Sequence, residues 1–143
     1  MRTLLFCLIA TTALSSCCVK KECDQVTSVS LYFYGFAPAE VDTIYVTGYK
    51  PGSNFAEVTS MTRIDSASGT MNEDSTYNYR TRPYGLYDDQ DWELTIPAVN
   101  KSYRLENYSY TPLTCGCPHD KVNNLTGCTV NGTQTKLPVN IHK

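Results

Sequence analysis

Beyond residue 25, apolar and polar side chains alternate with a period of two along most of the chain. Val29, Leu31 and Phe33 alternate with Ser28, Ser30, Tyr32 and Tyr34, and Gly35-Phe36-Ala37-Pro38 ends the run. Ile44 and Val46 alternate with Thr43, Tyr45 and Thr47 up to Gly48, and Lys50-Pro51-Gly52-Ser53-Asn54 reads as a turn. A strand points successive side chains to opposite faces, so each run predicts a strand with one face buried. Phe55 to Ile64 predicts another, although its apolar positions change parity between Phe55 and Val58, as a bulge would cause.

Residues 65–76 are polar and turn-like, and a strand starting at Tyr77 and Tyr79 with Arg80 and Arg82 is stopped by Pro83. The clearest strand runs from Asp91 to Pro97, with Trp92, Leu94 and Ile96 on one face and Asp91, Glu93 and Thr95 on the other. Tyr103 and Leu105 alternate with Arg104 and Glu106 in the next. Cys128-Thr129-Val130 then meets Asn131-Gly132, a two-residue pair that accepts the positive φ angles of a type I′ hairpin. Leu137, Val139 and Ile141 close the chain on alternating positions. About seven short strands with no helical period of useful length predict an all-β fold. The expected form is a single antiparallel β-sandwich of immunoglobulin-like or transthyretin-like size, with a partly open barrel as the alternative.

The first residues follow a different pattern. Arg2 precedes an uncharged apolar run from Leu4 to Leu14, the length of a signal-peptide core and too short to span a bilayer as a helix. Leu14-Ser15-Ser16-Cys17 follows at once, and it resembles the lipobox of bacterial lipoproteins. That resemblance implies cleavage before Cys17, with fatty-acyl chains such as palmitate carried on that cysteine as a membrane anchor. The chain then divides into a leader (1–16), a lipidated tether (17–25) and a β-sandwich domain (26–143). In lipoproteins an aspartate after the lipidated cysteine favours inner-membrane retention. Cys18-Val19 stands there instead, which implies the outer membrane and leaves its face open.

Loss of the leader leaves 127 of the 143 residues, enough for one domain with a real core. The formal charge of −2 becomes −3 without Arg2, which gives nucleic acid no basic face to meet. Of the seven cysteines, Cys7 leaves with the leader and Cys17 takes lipid, so five remain. Export favours disulfides. Cys18, in the tether, is the odd one, and Cys23, Cys115, Cys117 and Cys128 are the disulfide candidates. The expected pattern joins one of Cys115 and Cys117 to Cys128 and the other to Cys23. A competing reading makes Cys115, Cys117, His119 and Cys128 a metal or thiol-redox cluster, since zinc accepts this donor set.

No nucleophile elbow, phosphate-cradling loop or His-Glu-x-x-His helix occurs, so no catalytic set, metal or cofactor is assigned. Asp88, Asp89, Asp91 and Glu93 fall around a turn, where clustered acids read as a solvated loop. Tyrosine is abundant, with 11 residues. If the apolar set of each strand faces the core, Tyr32, Tyr34 and Tyr45 face outward, and Tyr108 and Tyr110 are expected to do the same. Such rings offer flat apolar area with a hydroxyl, suited to a glycan or a partner protein.

The lipobox, the early cysteine, Val41-Asp42-Thr43-Ile44-Tyr45-Val46, Trp92-Glu93-Leu94-Thr95-Ile96-Pro97 and the late cysteines before Val130-Asn131-Gly132 share an order and texture. Together they resemble small uncharacterised lipoproteins of Bacteroides-type bacteria over about 125 residues. The resemblance implies a β-sandwich at the cell envelope and brings no catalytic residues. It also implies O-glycosylation at Asp-Ser/Thr followed by a small or aliphatic residue. Thr43 fits but sits in a predicted strand, so Ser66 and Ser75 are the candidates. The expected function is a non-enzymatic envelope lipoprotein that acts as a binding or structural module.

Overall fold

The computed structural model of the chain describes residues 24–65, 70–71, 77–78, 85–114 and 121–143. The leader, Cys17 and the tether up to Cys23 lie outside the described residues. Twelve strands are described: β1 (Ser28–Val29), β2 (Leu31–Tyr34), β3 (Thr43–Tyr49), β4 (Val58–Asp65), β5 (Thr70–Met71), β6 (Tyr77–Asn78), β7 (Leu86–Tyr87), β8 (Asp91–Ile96), β9 (Lys101–Thr114), β10 (Lys121–Val130), β11 (Thr133–Lys136) and β12 (Val139–His142). Short 3₁₀ turns occupy Pro38–Glu40 and Pro97–Val99. Among the described residues no helix is long and apolar enough to cross a membrane, which says nothing about crossing by strands.

The described residues form two units. One holds the core and comprises Val26–Thr111 and Asn124–Lys143. The other includes Asp24, Gln25, 112–114 and 121–123, with the Gln25 amide donating to the Asn123 carbonyl at 2.8 Å.

The fold is all-β. Six strands form an antiparallel sheet in the order β11-β10-β9-β8-β3-β4. The alternation read from the sequence sets its inner face: Ile44 and Val46 from β3, Leu94 and Ile96 from β8, and Leu105 from β9 are all buried. Val29, Leu31 and Phe33 answer them from β1 and β2, with Leu86 of β7 and Val139 and Ile141 of β12. These belong to small two-stranded sheets, β1 with β7 and β2 with β12, so the core is that of a two-layer sandwich and no barrel closes among the described residues. Phe33 is fully buried and meets Phe36 edge to face, with ring centroids 5.8 Å apart. A side chain of that size gains roughly 1.5–3 kcal/mol from burial alone.

The hairpin expected at Asn131-Gly132 is present. β10 and β11 pair Val130 with Thr133, so two residues make the loop, and their φ angles are 48° and 79°. Positive φ at both positions matches the right-handed twist of the flanking strands.

Two expectations change. β12 runs parallel to β2, with Val139 opposite Leu31 and Ile141 opposite Phe33, where an antiparallel sheet was expected. Alternation fixes which face a strand buries and carries no information on its direction. The strand expected from Phe55 begins only at Val58. Asn54 and Phe55 lie in the β3–β4 loop with φ of 52° and 59°, which is why Phe55 broke the parity. A bulge is also present, because Tyr49 pairs with Val58 while Gly48 pairs with Ser60. The strand expected around Tyr77 is β6 as far as Asn78, and Tyr79, Arg80 and Arg82 lie outside the described residues.

Candidate functional site

The turn between β7 and β8 gathers hydrogen bonds from four other segments. The Tyr87 carbonyl accepts from the Trp92 indole N–H at 2.7 Å. The Gln90 carbonyl accepts from the Tyr108 hydroxyl at 2.7 Å. The Gln90 side-chain oxygen accepts from the Thr59 hydroxyl at 2.6 Å and the Ser60 hydroxyl at 3.0 Å. Asp91, only 5% exposed, accepts from the Gly52 N–H at 3.1 Å and so holds the β3–β4 loop. Burial, and then the neighbouring Asp88 carboxylate, hold the Tyr110 phenol above its ordinary pKa. Asp91 is therefore engaged with the fold itself, whereas Asp89 is exposed, as a solvated loop requires.

Gly48 makes this arrangement possible. It is buried on the inner face of β3, paired with Ser60 on one side and Trp92 on the other. A Cβ there would collide with the Gln90 side-chain oxygen and the Ser60 hydroxyl, and would come within 3.0 Å of the Trp92 ring. The missing side chain lets all three groups meet over β3.

Beside this junction lies a cavity of about 300 Å³ lined by Val46, Ser60, Thr62, Ile64, Gly85, Leu86, Tyr87 and Trp92. Its floor is the inner face of β3 and β4. Val46, Ile64, Leu86 and Trp92 are buried, whereas Ser60, Thr62 and Gly85 are half-buried and Tyr87 is exposed, so the cavity reaches the surface.

On the opposite, outer face of the six-stranded sheet, register places Val58 beside Tyr49, Met61 beside Thr47, and Arg63 beside Tyr45. Val58, Met61 and Tyr45 are 57%, 71% and 40% exposed. Phe55 folds over this face against Tyr49, with centroids 5.2 Å apart, and the Arg104 guanidinium sits 4.7 Å from its ring centre. Arg104 also donates to Glu93 at 2.9 Å, and Glu93 accepts from the Tyr49 hydroxyl at 3.2 Å. Burial and the Glu93 charge hold the Tyr49 phenol above its ordinary pKa. These contacts compensate the positive φ of Phe55, a conformation costly for an aromatic residue.

The three tyrosines expected on one surface are divided. Tyr45 is on the outer face of the large sheet, whereas Tyr32 and Tyr34 belong to β2 of the other layer. Tyr34 stacks on His142, with centroids 5.3 Å apart. Tyr108, expected outward, packs against the core instead, and burial drives its phenol far above the ordinary range.

Cys128 is a free thiol, fully buried on the inner face of β10, so the bridge expected from it is not formed. Its burial pushes the thiol up to about 11 and disfavours the thiolate that a metal ligand or redox centre needs. Cys23, Cys115, Cys117, His119, Ser66 and Ser75 lie outside the described residues. Thr43 opens β3 and is half-buried. Among the described residues no three His, Cys, Asp or Glu side chains converge.

Gly48, Gln90 and Thr62 were not singled out as site residues by the alternation of the sequence, and Phe55 appeared there only as a break in parity. A glycine inside a strand pattern is the one signal that points to close packing at this place. No protein-family model, curated protein or solved structure matches the chain.

The buried thiol and phenols give the fold a defined response to alkali. Cys128 moves from an ordinary value of 9.0 to about 11, and burial also raises Tyr103 and Tyr108. The unfolded chain loses these protons first, so the folded state holds more protons and stability falls as pH rises from 9 to 11. Denaturant midpoints measured across that window should drop, and Cys128→Ala should make the drop shallower. A midpoint independent of pH there would contradict this assignment.

Proposed function

We propose that this protein is a non-enzymatic lipoprotein of the cell envelope that acts as a binding module. In this reading Cys17 carries lipid, and Leu14-Ser15-Ser16 before it and the short apolar leader support the assignment. Cys18-Val19 after the anchor favours the outer membrane. Several acyl chains hold a protein at a bilayer far more firmly than one. Disulfide pairing among Cys23, Cys115 and Cys117, and O-glycosylation at Ser66 and Ser75, belong to the same exported state.

The observation that carries the binding role is the outer face of the six-stranded sheet. Val58, Met61 and Tyr45 form an exposed apolar ribbon across β3 and β4, and Tyr49 and Phe55 extend it. The charges along it are closed on one another, Arg63 with Asp65 and Arg104 with Glu93. A neutral aromatic surface of this kind suits a glycan or an envelope protein, where a highly charged ligand would find no counter-charge. It asks nothing of the hydrogen-bonded turn on the inner side.

Two experiments test this reading. Mass spectrometry of the mature N-terminal peptide should find Cys17 first and acylated; an unmodified Cys17 or cleavage elsewhere contradicts the anchor. The full-length protein in detergent, presented to arrayed glycans and to cross-linked envelope fractions, should retain a partner. Tyr45→Ala with Met61→Ser should weaken that retention roughly tenfold or more, the scale of losing one or two central contacts. Unchanged retention removes this face from the account.

A further inference from the structure

The cavity beside Trp92 is a feature apart from the outer ribbon, and its chemistry restricts what can fill it. None of the described side chains that line it carries a formal charge at neutral pH. An ion entering it would lose hydration without gaining a counter-charge from those residues, which disfavours charged ligands. Its volume of about 300 Å³ falls at the lower end of small-molecule sites, which excludes an extended oligomer.

The walls are also held in place. The Trp92 indole is fixed by its hydrogen bond to the Tyr87 carbonyl and by the space left at Gly48. Ser60 is committed to Gln90 at 3.0 Å. The Thr62 hydroxyl, next along the same face of β4, makes no hydrogen bond to any described residue. The cavity thus presents one flat indole and one hydroxyl that no described residue engages.

We propose that this cavity is a binding site for a small neutral aromatic ring that carries a hydroxyl group. The ring packs against Trp92 and the aliphatic floor of Val46 and Ile64. Offset or edge contacts between rings add to area burial, which a saturated chain cannot match. The ligand hydroxyl bonds Thr62 and replaces the water that the ring expels. A ligand without a hydroxyl would leave Thr62 without a partner.

The chain has a single tryptophan, so its indole N–H gives one NMR resonance that reports on the cavity wall. The probes are p-cresol, toluene and 4-methylcyclohexanol, titrated into the full chain. Saturable movement of the Trp92 resonance is expected with p-cresol, with weaker binding of both other probes. Thr62→Val should weaken p-cresol roughly 2- to 10-fold, as loss of one hydrogen bond does, and leave toluene unchanged. Thr62→Phe, a substitution at a half-buried edge position, should fill the space and abolish binding of all three while the unfolding transition persists. The proposal is overturned by no saturable shift with p-cresol, by equal binding of p-cresol and 4-methylcyclohexanol, or by p-cresol binding that survives Thr62→Phe.

Discussion

One missing side chain sets the geometry of this sheet. At Gly48 the inner face of β3 has no Cβ, and into that space come the Trp92 ring from β8, the Ser60 hydroxyl from β4 and the Gln90 amide from the turn before β8. Side chains from two strands and a turn therefore meet in a space that a Cβ at position 48 would fill. Core packing is intolerant of added volume, and forcing even one methyl into a filled site costs about 1–3 kcal/mol. Here the added methyl would also separate Gln90 from its two donors.

From that point the hydrogen bonds spread outward. Gln90 reaches β4 through its side chain and β9 through its carbonyl, and Asp91 reaches the β3–β4 loop through Gly52. A turn that would otherwise be tied only through its flanking strands is anchored to the edge strand, the adjacent hairpin and the sheet interior. Such a turn can hold a cavity wall in one position, and the indole is the part of the wall that it holds. The two faces of the sheet thus differ in kind. The inner side beside β4 holds the cavity, and the outer side is apolar along β3 and β4 with Arg63 and Arg104 paired to carboxylates.

Much of this was legible in the sequence because a strand carries its own face in its alternation. Leu31, Phe33, Ile44, Val46, Leu94, Ile96, Leu105, Val139 and Ile141 are all buried as their spacing requires, and Asn131-Gly132 turns where its backbone preferences demand. What alternation does not encode is partner and direction. The parallel alignment of β12 with β2 depends on where the chain is delivered after β11, which no local pattern records. Phe55 reads as a strand residue because its apolar character is real, yet its partners are Tyr49 and Arg104 on the outer face. Tyr32, Tyr34 and Tyr45 share a parity without sharing a layer, so a surface inferred from parity alone joined residues that the topology separates. Cys128 suits a disulfide by composition, and only its place on the inward face of β10 shows it as a core residue.

The same reasoning explains why the candidate site lies where the sequence was silent. Gly48, Thr62 and Gln90 are small or neutral residues in ordinary strand and turn contexts, and their importance comes from long-range juxtaposition. The most direct test is a double-mutant cycle between positions 48 and 90, followed by denaturant unfolding. If Gly48 exists to admit the Gln90 side chain, Gly48→Ala should cost about 1–3 kcal/mol in the native chain and substantially less in a Gln90→Ala background. Equal costs in the two backgrounds would show that the two residues do not share the space, and would contradict the account.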